Sequence, residues 1–165
     1  MPITNDDQLN AIILNDLKGI IDEVAEKVFL KLRESIQQNV YDAGTPTTYN
    51  RQLDNGGLLG SFAKQNVSLV GQVAESKIDQ DPMSMNNDSD NFIHGSNFWQ
   101  GGDDVREYLT DWIIKGRPDI GSYFGEGFWR SPRNFWQPMI DMINNGDVDR
   151  MIESAFNSRG IIWRK

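Results

Sequence analysis

Residues 5–40 read NDDQLNAIILNDLKGIIDEVAEKVFLKLRESIQQNV, and the chain leaves them through Val40-Tyr41. Next come Tyr49-Asn50-Arg51-Gln52-Leu53 and then Gly56-Gly57-Leu58-Leu59-Gly60-Ser61-Phe62. Leu9, Ile13, Leu17, Ile20, Val24, Val28, Leu32 and Ile36 recur at steps of three and four, with Ile12, Ile21 and Phe29 widening the stripe. That spacing predicts one amphipathic helix over about residues 5–40. The opposite face carries Asp16, Asp22, Glu23, Glu26, Lys27, Lys31 and Glu34. Thr4 or Asn5 serves as N-cap, with Asp6 and Asp7 in the positive first turn. Gly19 marks a bend or a close contact, and two shorter helices over one core are the competing arrangement. Such a helix seldom finds enough partner surface within 165 residues, so part of its stripe is expected to pack on a neighbouring subunit.

Asp42-Ala43-Gly44-Thr45-Pro46 ends the helix by turn chemistry. Residues 58–75 look extended. Val67, Leu69, Gly71 and Val73 alternate with mostly polar neighbours, as in a strand with one buried face. Residues 76–97 are poor in apolar side chains and read as a long acidic loop or hairpin, with weak strand signals near Met83–Met85 and Phe92-Ile93. The last third differs in character. All five tryptophans and 12 of the 17 aromatics lie beyond residue 97, which makes this part the candidate for partner contacts. A helix over about Asp103–Lys115 turns Val105, Tyr108, Leu109, Trp112 and Ile113 to one side and stops at Gly116-Arg117-Pro118. Ser131 and Pro132 open a second, carrying Phe135, Trp136, Met139, Ile140 and Ile143, and Asn145-Gly146 ends it. Asp147 caps a third, with Val148, Met151, Ile152, Ala155 and Phe156 inward and Gly160 at its end. Ile161-Ile162-Trp163 reads as a short final strand. The fold class is α+β: a long N-terminal helix on a small antiparallel sheet, with additional C-terminal helices. Length favours a single domain over residues 1–165, divided into helix, motif and first strand (1–75), acidic loop (76–97) and aromatic helical part (98–165).

Composition narrows the function. There is no cysteine, so disulfides and thiolate metal sites are excluded. No apolar run reaches the ~20 residues that span a bilayer. The acidic N-terminus lacks the basic region of a signal peptide. The net charge is −8, with 14 acids and 7 bases up to residue 102 and 10 acids and 9 bases after it. No basic stripe suits a nucleic-acid clamp; an acidic surface suits a passage along which DNA slides, or simply solubility.

Candidate chemistry is thin. His94 is the only histidine and has no evident partner. Asp79, Asp81, Asp88 and Asp90 carry hard oxygen ligands but not the glycine and final glutamate of a calcium-binding EF-hand loop. Gly121, Gly125 and Gly127 lack the lysine of a phosphate-binding loop. Glu126 with Asp119 would be the acid pair of a small carboxylate-dependent hydrolase. No serine sits in a Gly-x-Ser-x-Gly context. Neither a cofactor nor a metal is expected, and the chain reads as a non-enzyme. The aromatic part offers Phe98, Trp99, Phe128, Trp129 and Trp136 as interface anchors, with Arg130 and Arg133 at the rim. A tryptophan-rich binding module is the corresponding alternative.

The order of long helix, tyrosine, Tyr-x-Arg, glycine, leucine and serine resembles the tail-completion and head–tail joining (neck) proteins of tailed bacteriophages. The matching residues are Tyr41, Tyr49, Arg51, Gly56 or Gly57, Leu58 or Leu59, and Ser61, and the resemblance covers residues 5–75. Arg51 is followed here by Gln52-Leu53, where the family commonly has Thr-Gly. The resemblance implies a helix lying across an antiparallel sheet. It implies a homo-oligomeric ring of six or twelve subunits in the virion neck, assembled in the host cytoplasm. The ring would join the portal or its adaptor to the tail tube or tail terminator, and DNA would pass through it without specific binding. Tyr49 and Arg51 would lock the turn after the helix.

Overall fold

The computed structural model describes residues 5–43, 56–85, 106–116 and 131–162, and its architecture is α+β. Helix α1 runs unbroken over Asp6–Ile36. Asn5 caps it: its Oδ1 accepts the Gln8 N–H at 2.9 Å, supplying a partner that the first turn lacks. At the far end the helix widens into a π turn over Gln37–Tyr41, closed by Asp42 N–H donating to Gln37 O at 2.8 Å. The Asn39 side chain there donates to Ser35 O at 2.9 Å, offering that carbonyl a partner outside the regular ladder. The expected helix is therefore one piece, and its final turn is π rather than α. The residues from Gly44 to Pro46, expected to terminate it, lie outside the described residues.

Four short strands follow: β1 (Phe62–Lys64), β2 (Ser68–Val70), β3 (Val73–Glu75) and β4 (Ile78–Gln80). β1 pairs with β4, and β2 with β3 in antiparallel register Ser68–Glu75, Leu69–Ala74, Val70–Val73. The expected single strand through residues 66–74 is in fact a hairpin. Gly71, at φ +63°, takes the first central position of its two-residue turn, where a side chain would be strained. Gln65 bonds to Lys77, whereas Ser68 stands opposite Glu75. Three steps on one strand thus match two on the other, and one residue is bulged. The bulge breaks the expected alternation: Val67 is buried, but Leu69 and Val73 are exposed. A 3₁₀ turn over Pro82–Ser84 replaces the strand expected near Met83–Met85, because Asp81 Oδ1 accepts Met83 N–H at 3.0 Å and Pro82 opens the turn.

Helices α2 (Arg106–Lys115), α3 (Gln137–Asn144) and α4 (Asp147–Ser158) complete the described fold. Gly116, at φ +74°, ends α2 as expected, its N–H reaching Trp112 O at 2.8 Å. α3 starts later than Ser131-Pro132: the cap is Asn134, whose Oδ1 accepts from Trp136 N–H at 3.1 Å and Gln137 N–H at 3.2 Å. Its inward side chains are Met139 and Met142, whereas Ile140 and Ile143 are exposed. The left-handed cap of α4 is Gly146, one residue before the expected Asp147. Its C-terminus is a Schellman motif, with Gly160 N–H donating to Asn157 O and Ile161 N–H to Phe156 O, each at 3.0 Å. Ile161 and Ile162 are not a strand; Ile161 packs on the core instead.

The chain falls into two compact units, Met1–Leu30 with Lys64–Asp79 and Ile140–Lys165, and Lys31–Ala63 with Gln80–Met139. The core of the first is Ile20, Val24 and Ala155, covered by Val28, Val148, Met151, Ile152, Phe156 and Ile161. Gly19 sits beside this core. A Cβ there would lie 3.5 Å from Arg159 Nη2, an ordinary contact. The second unit buries Leu32, Ile36, Val40, Leu58, Leu59, Phe62, Met85, Ile113, Phe135 and Met139.

Two neighbouring positions should respond oppositely in chemical denaturation. Ile20→Ala empties a fully buried site and is expected to cost about 2–5 kcal/mol. Gly19→Ala fits the space and restores helix propensity, so it should raise stability by about 0.5–1 kcal/mol.

Candidate functional site

The sequence motif and the aromatic third meet in the second unit, at the end of α1. Ser35, buried on the helix, donates its Oγ–H to Phe135 O at 2.7 Å, a bond between positions 100 residues apart. Asn39 Nδ2 donates to Ser35 Oγ at 3.2 Å, so one hydroxyl both gives and accepts. Arg33 Nη1 donates to Leu59 O, and Arg133 Nη1 to Val40 O, each at 3.3 Å. The Arg133 backbone N–H meets Ile113 O at 2.8 Å. Two guanidiniums and a serine thus tie the end of the helix to two later segments, all through main-chain carbonyls.

An aromatic knot fills the space among them. Phe62 stands edge-on to Phe135, with centroids 6.0 Å apart and planes at 81°, and edge-on to Trp136 at 5.8 Å and 75°. Phe135 and Trp136 are themselves 5.6 Å apart. Edge-to-face pairs set the positive rim of one ring against the negative face of the other and contribute about 0.5–1.5 kcal/mol beyond burial. Phe135 is fully buried.

Of the motif residues, Tyr41 is half-buried in the π turn. Gly56, at φ +80°, adopts a conformation that a side chain would strain, and Gly57 is buried. Leu58 is buried, and its carbonyl accepts the Ser61 Oγ–H at 2.8 Å. Ser61 Oγ in turn accepts from Gln80 Nε2 at 3.2 Å. Tyr49 and Arg51 lie outside the described residues, as do Phe98, Trp99, Phe128, Trp129 and Arg130, together with His94, Asp119 and Glu126. Among the aromatic-part candidates, Arg133 and Trp136 belong to the junction, with Trp136 half-buried. Ser35, Asn39 and Arg33 escaped the sequence reading. The available signal was Ser35 itself, a polar residue beside the apolar Leu32 and Ile36.

Around Glu23 and Lys64 the charges of the first unit are locally paired. Glu23 accepts from Lys27 at 2.8 Å and from Arg159 at 2.9 Å, and these bonds, Lys27 first, hold its carboxyl below the usual carboxylate range. Lys64 donates to Asp22 at 2.6 Å with Glu26 at 3.5 Å; the bond to Asp22 chiefly raises its ammonium above the ordinary lysine range. The Glu23 contribution is therefore present above the unfolded carboxylate range and lost as pH falls. The Lys64 contribution is present below the unfolded lysine range and lost as pH rises.

The arrangement has the chemistry of a brace: its donors are spent on carbonyls, and its rings are packed on one another. A family model named YomN matches residues 5–158, nearly the whole chain and both ends of this brace. The chain belongs to the YomN family. This is a phage-associated family. No curated protein and no solved structure matches the chain.

Ser35→Ala should leave the Phe135 carbonyl buried without its donor and cost about 1–3 kcal/mol in urea unfolding. A Ser35→Ala/Asn39→Ala cycle should show coupling, since the two side chains share one hydroxyl. Glu23→Gln should flatten the acid limb of the stability–pH curve and cost at most about 1 kcal/mol at neutral pH, because the pair is exposed and screened.

Proposed function

We propose that this chain is a structural protein of a tailed phage virion that joins head to tail in the neck, acting without catalysis as one subunit of a ring through which DNA passes. Membership of a phage-associated family across residues 5–158 carries the reading. Further support comes from the helix-to-motif order of residues 5–62 and from the α+β fold that the resemblance implies. The polar groups at the helix end are committed to backbone carbonyls, as in a part built to hold shape. The net charge of −8 suits a wall past which DNA slides. The ring, of six or twelve copies, would contact the portal or adaptor on one side and the tail tube or terminator on the other.

Deleting the gene from the phage that carries it should yield filled heads and free tails lying apart in electron micrographs, rejoined when the protein is supplied. In the same assay Arg51→Ala, which removes the residue assigned to locking the turn, should rejoin few of them. Intact, infectious particles formed without the protein would overturn the reading.

A further inference from the structure

The first turns of α1 carry an apolar stripe that the other described residues leave open. Leu9, Ile12 and Ile13 are 40%, 48% and 53% exposed, and every residue from Asn5 to Ile13 is exposed. Leu17 is half-buried, and Ile20 is the first residue fully covered. With 3.6 residues per turn, Leu9 and Ile13 lie on the same face as the Ile20 and Val24 core, with Ile12 at its edge. From Asp6 to Ile20 the helix rises about 21 Å at ~1.5 Å per residue. Its exposed part, Asp6–Ile13, spans about two turns, and the terminus is locally capped by Asn5.

The charges beside this stripe have one sign. Asp6 lies three residues before Leu9. Asp16, expected on the opposite face, instead lies four after Ile12 and three after Ile13, so an acid closes each end of the stripe on its own face. Asp7 adds a third, and no lysine or arginine occurs before Lys18. Among the described residues none of the three carboxylates is held in an ion pair. This pattern discriminates among occupants. A second copy paired antiparallel would set Asp6 against Asp16, and a parallel pair would set each acid against itself. An anionic lipid surface or a nucleic acid would also be repelled. A groove with an apolar floor and a cationic rim would be attracted to the acids while it covers Leu9, Ile12 and Ile13.

We infer that residues 6–17 are a docking helix that seats its Leu9–Ile12–Ile13 face in an apolar groove, rimmed by lysine or arginine, on a different protein. The inference stands on this helix alone and does not depend on the virion reading.

Two labelled synthetic amphipathic helices test it by fluorescence anisotropy against the full chain, one made of leucine and lysine and one of leucine and glutamate. The leucine–lysine helix should bind and the leucine–glutamate helix should not. Ile12→Ser/Ile13→Ser should weaken binding at least about tenfold, as expected from lost apolar burial. Asp6→Asn/Asp16→Asn should weaken it only at low salt, where the charges are unscreened. Asp79→Asn/Glu153→Gln, away from the stripe, should leave it unchanged. Circular dichroism should be the same for all variants, since none touches a buried side chain. Binding of the glutamate helix, binding that survives Ile12→Ser/Ile13→Ser, or equal loss in the Asp79/Glu153 control would overturn the inference. So would a dimer in light scattering that Ile13→Ser dissolves, which would assign the face to a second copy.

Discussion

A 31-residue helix with one apolar stripe sets the constraint under which this chain folds. Each buried turn of the stripe is worth roughly 1.5–3 kcal/mol per large side chain, provided something covers it. No other described element approaches its length, so the cover comes in pieces from distant sequence. Ile20 and Val24 are covered by α4. Further along, Ser35 is bonded to Phe135, Arg33 to Leu59 and Arg133 to Val40. The helix thereby contributes residues to both compact units.

The bonds at the end of the helix share a property: three side chains donate to main-chain oxygens. Substituting the accepting residue leaves such a bond chemically intact, so Phe135, Leu59 and Val40 are held by position rather than by side-chain identity. The donors have no such latitude. Packing complements this, because the rings of Phe62, Phe135 and Trp136 pack on one another. A brace of this kind fixes distances between segments and leaves little free polar chemistry.

The long helix was legible because its signals are local: an Asn5 cap and a stripe at steps of three and four, whereas Gly19 marks neither a bend nor a close contact. The same holds for α4, whose inward residues Val148, Met151, Ile152, Ala155 and Phe156 are all found in or on the first core, and for the glycines that end α2 and α4. What could not be read was non-local. The alternation at Val67, Leu69 and Val73 looked like one strand because a one-residue bulge and a turn at Gly71 leave no mark on a hydrophobic pattern. Ile140 and Ile143 share a face with Phe135 and Trp136 only if one helix carries all four; Phe135 and Trp136 precede α3, and Met139 and Met142 are its buried side chains. At the candidate site, Ser35 was invisible because its partner is a carbonyl 100 residues away.

The pairing of α1 with α4 also bears on how the chain is made. Ile20 is synthesised well before Ala155 and Ile161, which close over it. Loop closure over such a separation is entropically slow, and contacts of high sequence separation delay folding. On the ribosome, then, the Ile20–Val24 part of the stripe waits uncovered until those later residues have been made. A truncated or stalled product would keep that stripe exposed, a species prone to aggregate rather than to fold in part.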